Sequence, residues 1–193
     1  MMKFKILGVQ VYISFLFAAY ITLLLIIDKT GLIIPVLISN TIHELGHETA
    51  MNFVKCKIIK ISLTPGGCIM TVPPFKSKKD EIIVALAGPL LNFLASAVFI
   101  FLWLVFGFHG CFVAAVINGG LCAFNLLPIK GLDASTVLYI LLAPKSLVLY
   151  KFLNIIFSVA FCTFCIFGFL YYAINTSVII VALYLICCAV FKI

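Results

Sequence analysis

Charge is scarce in this chain. Of its 193 residues, 10% are charged and 65% are hydrophobic, and only six side chains are acidic. Soluble domains are nearer a quarter charged and half apolar. A soluble domain of this length could not hide so much apolar surface, so the solvent must be lipid. Arginine is missing altogether: all 13 basic residues are lysine, and the net charge is +7. In a soluble protein that excess would suggest nucleic acid. Here membrane topology accounts for it, and no nucleic-acid partner is needed. A disulfide framework is also missing. Cys111, Cys122, Cys162, Cys165, Cys187 and Cys188 lie within apolar segments, where free cysteine behaves as a small hydrophobe. The CTFC stretch ending at Cys165 has metal-like spacing, but in an unbroken apolar run it reads as packing. MMKFK has the charge of a signal peptide, but the run after it lacks a small-residue cleavage site and should stay as a span.

Apolar runs fill the space. They predict an all-α polytopic membrane protein, one domain over residues 1–193, with about six transmembrane helices. The spans are expected at 6–27, 32–54, 82–106, 111–127, 147–173 and 178–190. Lys3, Lys5, Lys55, Lys57, Lys60, Lys76, Lys78, Lys79, Lys130, Lys145, Lys151 and Lys192 then fall on one side, and Lys29 alone on the other. An even number of spans with that bias puts both termini and the large loops in the cytoplasm. Between the second and third spans, residues 57–75 alternate apolar and polar side chains around Pro65, Gly66 and Gly67. That pattern predicts a short membrane-associated β-hairpin. Such a hairpin lies at the interface or lines a cavity, and its open edge can pair with an extended peptide. An ordinary cytoplasmic turn fits the stretch equally well.

Within the second span stands HELGH, His43 to His47. Histidines at i and i+4 on a helix share one face and can reach one zinc ion. Glu44 beside them can take a proton from zinc-activated water without occupying the metal. His43 would sit about 12 residues, or roughly 18 Å, into its helix, near mid-bilayer. Ionisable groups at that depth are costly and usually functional. A catalytic zinc needs a third protein ligand. Asp28 and His109 lie at the wrong ends of spans, and Asp80 and Glu81 read as interfacial charges beside Lys78 and Lys79. Glu48, four residues after Glu44, is either a hydrogen-bond partner of His47 or solvated through a cavity. Asp133 follows NLLPIKGL, where Pro128 and Gly131 break the helix and let the backbone turn inward. It is the preferred third ligand, and the other role open to it is a helix N-cap before ASTVLYILLA.

HELGH, AGPLLN and NLLPIKGLD together resemble the site-2 protease family of intramembrane zinc metalloproteases, and within it the stage IV sporulation protein FB subgroup. The resemblance is strong from Leu37 to Leu141 and rests on hydropathy beyond it. It implies a multi-pass protein of the bacterial cell membrane that cuts membrane-anchored substrates. In the subgroup the substrate is a sigma-factor precursor processed during sporulation, and membrane regulatory proteins are expected partners. It implies that His43, His47 and Asp133 bind Zn2+ and that Glu44 is the general base. Gly66 and Gly67 would belong to a substrate-facing hairpin, Asn125 would position the substrate or its oxyanion, and Ala87 to Pro89 with Asn92 would pack the third span against the metal-bearing helix. Two departures stand out. The family reads DGG where this chain has Asp133, Ala134 and Ser135, and IKGL replaces a segment that commonly holds a second proline. The chain also ends after the sixth span, with no room expected for a CBS or PDZ domain. A non-enzymatic membrane protein that binds metal or substrate is the alternative, though Glu44 argues against it.

Overall fold

The computed structural model describes residues 2–6, 8–65 and 67–172. Among these are six helices and one four-stranded sheet. The chain divides into two compact units, Met1–Cys122 and Ala123–Ile193. The division falls inside a single helix, α4 (His109–Asn125).

In the first unit the sheet is larger than the expected hairpin. Strands β1 (Met2–Ile6) and β2 (Val9–Ile13) pair antiparallel, with Met2 opposite Ile13. Gly8 between them takes φ +89°, a left-handed value that favours glycine. β2 then runs parallel to β3 (Lys60–Thr64), which pairs antiparallel with β4 (Gly67–Thr71). The order is β1-β2-β3-β4, so β4 is an edge. On one face Lys60 sits 4.6 Å from the Tyr12 ring centroid and Lys3 5.7 Å from it. The stretch read as the start of a first span is therefore strand, and helix α1 (Phe15–Ile27) begins only after it. Ser14 marks that boundary, with extended backbone and a side chain that accepts from Phe17 N at 3.0 Å. Thirteen residues make a helix of about 20 Å, short of a 30 Å hydrocarbon layer.

Asp28 shapes the turn into α2 (Ile33–Phe53). Its carboxylate accepts from Thr30 N, Thr30 Oγ1 and Gly31 N on one oxygen and from Ile33 N on the other. The buried residues of α2 are Ser39, His43, Gly46, Ala50 and Met51, which recur at helical spacing and form one face. That face packs on α3 (Lys78–Phe106), whose buried residues Val84, Ala85, Gly88, Pro89 and Asn92 are also on one side. Gly46 permits the approach, because a Cβ there would stand 2.5 Å from Ala87 O. Ser77 caps α3 by accepting from Asp80 N, and Gly107 ends it at φ +70°. Polar clasps join α4 to its neighbours. Asn118 Nδ2 donates to Ser39 Oγ at 2.8 Å, and Ser96 Oγ donates to Ala115 O at 2.8 Å.

The second unit holds the end of α4, a loop, α5 (Asp133–Leu142) and α6 (Leu147–Tyr172). Gly131 turns the loop at φ +96°, and Ile129 and Leu132 bury themselves against Phe124, Leu127 and Phe161. Ser135 Oγ meets Tyr150 OH and donates to Asn154 Oδ1, both at 3.1 Å, tying α5 to α6. Cys162 and Cys165 are buried on α6 beside Phe161 and are unbonded, which is packing.

Two of the described helices, Lys78–Phe106 and Leu147–Gly168, are long and apolar enough to cross a membrane by length and composition. α2 is 21 residues long, but its mean apolarity is lowered by its polar cluster. Large apolar side chains face outward throughout: Phe15, Ile26 and Val148 are each at least 75% exposed. On a soluble protein that surface would be an aggregation hazard, whereas lipid covers it without cost. The expected sixth span, 178–190, lies outside the described residues, together with Cys187 and Cys188.

Candidate metal centre

α2 carries the histidines one turn apart, and their rings stand nearly perpendicular, with centroids 4.8 Å apart and an interplanar angle of 81°. The Nε2 atoms converge to 3.1 Å. The outer nitrogens are held by α3. His47 Nδ1 lies 2.8 Å from Val84 O. A carbonyl can only accept, so Nδ1 carries the ring proton and the Nε2 lone pair points to the shared space. His43 Nδ1 lies 3.2 Å from Asn92 Nδ2, and both residues are buried. Gly88 supplies the room for both rings. A Cβ there would strike His47 Nε2 and stand 2.8 Å from His43 Cε1.

Asp133 is the first residue of α5, where a carboxylate also complements the helix dipole. Leu132 occupies the N-cap position, so the alternative capping role does not fall to Asp133. Ala134 and Ser135 continue the helix with ordinary negative φ, so the backbone here does not require the glycines of DGG. Ser135 instead uses its hydroxyl on Asn154 and Tyr150.

Zinc–nitrogen bonds of about 2.0–2.1 Å at tetrahedral angles place two ligand nitrogens about 3.3 Å apart. The 3.1 Å between the two Nε2 atoms is close to that spacing. Two imidazoles and one carboxylate are also a donor set found in catalytic zinc sites, which leave a fourth position open. The residues present fit the metal.

Glu44 follows His43 on α2 and contacts the hairpin. Cys68 of β4 hydrogen-bonds to it, and the Cys68 thiol is pushed up to about 12, first by burial and then by the Glu44 carboxylate. Asn125 is the last residue of α4 and is half-buried. Gly67 begins β4 at an exposed position with φ +122° and open space around it. Gly66 lies outside the described residues. Glu48 is half-buried on α2. Two contacts of the site were not read from the sequence. The Val84 carbonyl is a backbone group with no side-chain signal. Asn92 was read as packing, although an amide four residues after Gly88 in an apolar helix was its visible trace.

Residues 31–112 match the model of peptidase family M50. The chain is 26% identical over 154 residues to a zinc metalloprotease of Methanocaldococcus jannaschii, a match covering 74% of this chain and 45% of that relative. It thus spans less than half the length of the curated relative. The fold is similar to that of the site-2 protease from Methanocaldococcus jannaschii, with a TM-score of 0.67 at 24% identity over 97% of this chain and 93% of that one. The likenesses are thus to peptidase family M50, to a zinc metalloprotease and to the fold of a site-2 protease. The family model includes HELGH, AGPLLN and the helices that carry them, and it stops before Asp133.

Proposed function

We propose that this chain is a zinc-dependent intramembrane endopeptidase that cuts membrane-anchored proteins. The observation that carries the reading is the convergence of His43 Nε2 and His47 Nε2 at zinc spacing, and Asp133 is the third ligand of this proposal. Zinc held by His43, His47 and Asp133 would supply Lewis acidity, lowering the pKa of water and polarising the scissile carbonyl. Glu44 accepts the proton from the attacking water and delivers it to the departing amine nitrogen. Its place beside His43 on α2 would keep its carboxylate near a metal held by the two histidines. Asn125 donates to the developing oxyanion. An unwound substrate segment pairs along β4, the edge strand of the sheet, near Gly66 and Gly67. Water reaches the site from the cytoplasmic side, where the lysine bias puts the termini and the hairpin of this multi-pass protein.

A narrower reading follows from the resemblance of HELGH, AGPLLN and NLLPIKGLD. The substrate is a membrane-associated sigma-factor precursor of the sporulation type, and membrane proteins regulate the cut. Co-expression with membrane-anchored precursors tests both levels. Glu44→Gln should abolish cleavage while zinc content stays near that of the native chain. Continued turnover by the Glu44→Gln chain would refute the role of Glu44. A native chain that binds zinc but cuts no membrane-anchored protein would leave a non-enzymatic metal-binding protein as the reading.

A further inference from the structure

We propose that Asn92 is a positioning residue that holds the His43 ring by its Nδ1 and supplies the acceptor that the metal-binding tautomer needs. The inference rests on the reading that His43 and His47 are zinc ligands. α3 holds the outer nitrogen of each ring. His47 Nδ1–H donates to Val84 O, which leaves the His47 Nε2 lone pair for a metal. His43 Nδ1 faces the side-chain amide of Asn92 at 3.2 Å, and both residues are buried.

Binding through His43 Nε2 requires the ring proton to be on Nδ1. Nδ1–H then needs an acceptor in a buried site. Asn92 holds one in reserve. Its Oδ1 is buried and meets no donor among the described residues, and the residue is fully buried. The two ends of the amide are nearly isosteric, so Oδ1 can stand where the amide faces His43 Nδ1. His43 Nδ1–H then donates to Oδ1. Asn118 makes a useful contrast. It is equally buried, but its donor goes to Ser39 Oγ and Ala114 O, groups outside the metal cluster.

The test is zinc competition titration on the full purified chain in detergent micelles. Asn92→Leu removes the acceptor and should lower zinc affinity about 10- to 100-fold. Asn92→Asp keeps an acceptor and loses the donor, and it should bind zinc at least as tightly as the native chain. Asn118→Leu should leave zinc affinity unchanged. A purely structural role predicts that Asn92→Asp is as harmful as Asn92→Leu, and that result overturns the proposal. Equal losses in Asn92→Leu and Asn118→Leu overturn it too. If the native chain itself binds no zinc, the metal-site reading fails and takes this inference with it. If the native chain binds and Asn92→Leu binds equally well, only the inference fails. Should Asn92→Leu not fold, the ¹⁵N histidine spectrum of the zinc-loaded native chain decides. His43 is expected to carry its proton on Nδ1, and an unprotonated Nδ1 overturns the proposal.

Discussion

Gly88→Ala adds one methyl group to the wall behind both imidazoles. An ideal Cβ at position 88 stands 2.7 Å from His47 Cε1 and 2.8 Å from His43 Cε1, and closer still to His47 Nε2. Carbon atoms in ordinary contact sit about 3.5–4.0 Å apart. The rings must therefore retreat by about 0.7–1.3 Å or rotate out of register. Metal–ligand distances tolerate only about 0.2 Å. A misplacement of about 1 Å at a reacting centre can cost roughly 100-fold in rate. Gly88→Ala should accordingly lose cleavage by at least about 100-fold, with a parallel loss of zinc affinity. Overpacking should cost about 1–3 kcal/mol of stability, because the obstructing atoms are side chains that can yield. Gly46→Ala is the control. Its Cβ meets backbone, Ala87 O at 2.5 Å and Gly88 Cα at 2.9 Å, so α2 and α3 themselves must part. Zinc titration and thermal melting of the two chains should give opposite patterns. Gly88→Ala should be folded and zinc-poor, and Gly46→Ala should melt at lower temperature. A Gly88→Ala chain that binds zinc with native affinity would falsify the argument that the missing side chain makes room for the ligands.

Two further predictions concern ionisation. The Asp28 carboxyl is drawn down to about 2, chiefly by the Ile33 backbone hydrogen bond and then by the Thr30 hydroxyl. Since its unfolded value is about 3.9, its stabilising effect is complete above that pH and disappears as pH falls through about 2. Melts of the native and Asp28→Asn chains should differ at about pH 5 and converge in strong acid, and coincident melts at about pH 5 would remove the effect assigned to this turn. Cys68, raised to about 12 by burial and by Glu44, should react slowly with maleimides at neutral pH. In metal-stripped protein, Glu44→Gln should move the labelling curve to lower pH by removing the neighbouring negative charge. An unmoved curve would separate the hairpin from Glu44.

Some of this protein is written in local sequence. HELGH puts two imidazoles on one helix face because 3.6 residues per turn leaves no other arrangement. Pro65, Gly66 and Gly67 between alternating residues announce the β3–β4 hairpin, and the low charge announces lipid. The N-terminal strands were not legible. ILGVQVYI is a short apolar run, which suits a strand and a membrane helix alike, and the choice is made by β2 pairing in parallel with β3 across two intervening helices. Ala134 and Ser135 looked like a defect beside the DGG pattern, until the helix they continue showed no position that needs glycine. Tertiary structure alone decided what the outer ring nitrogens meet. Whether a histidine presents Nε2 or Nδ1 depends on that contact, here a backbone carbonyl on α3 for His47 and the amide of Asn92 for His43. Neither partner is near the histidines in sequence. The spacing of HELGH could name the ligands, but only the packing of α2 on α3 could orient them.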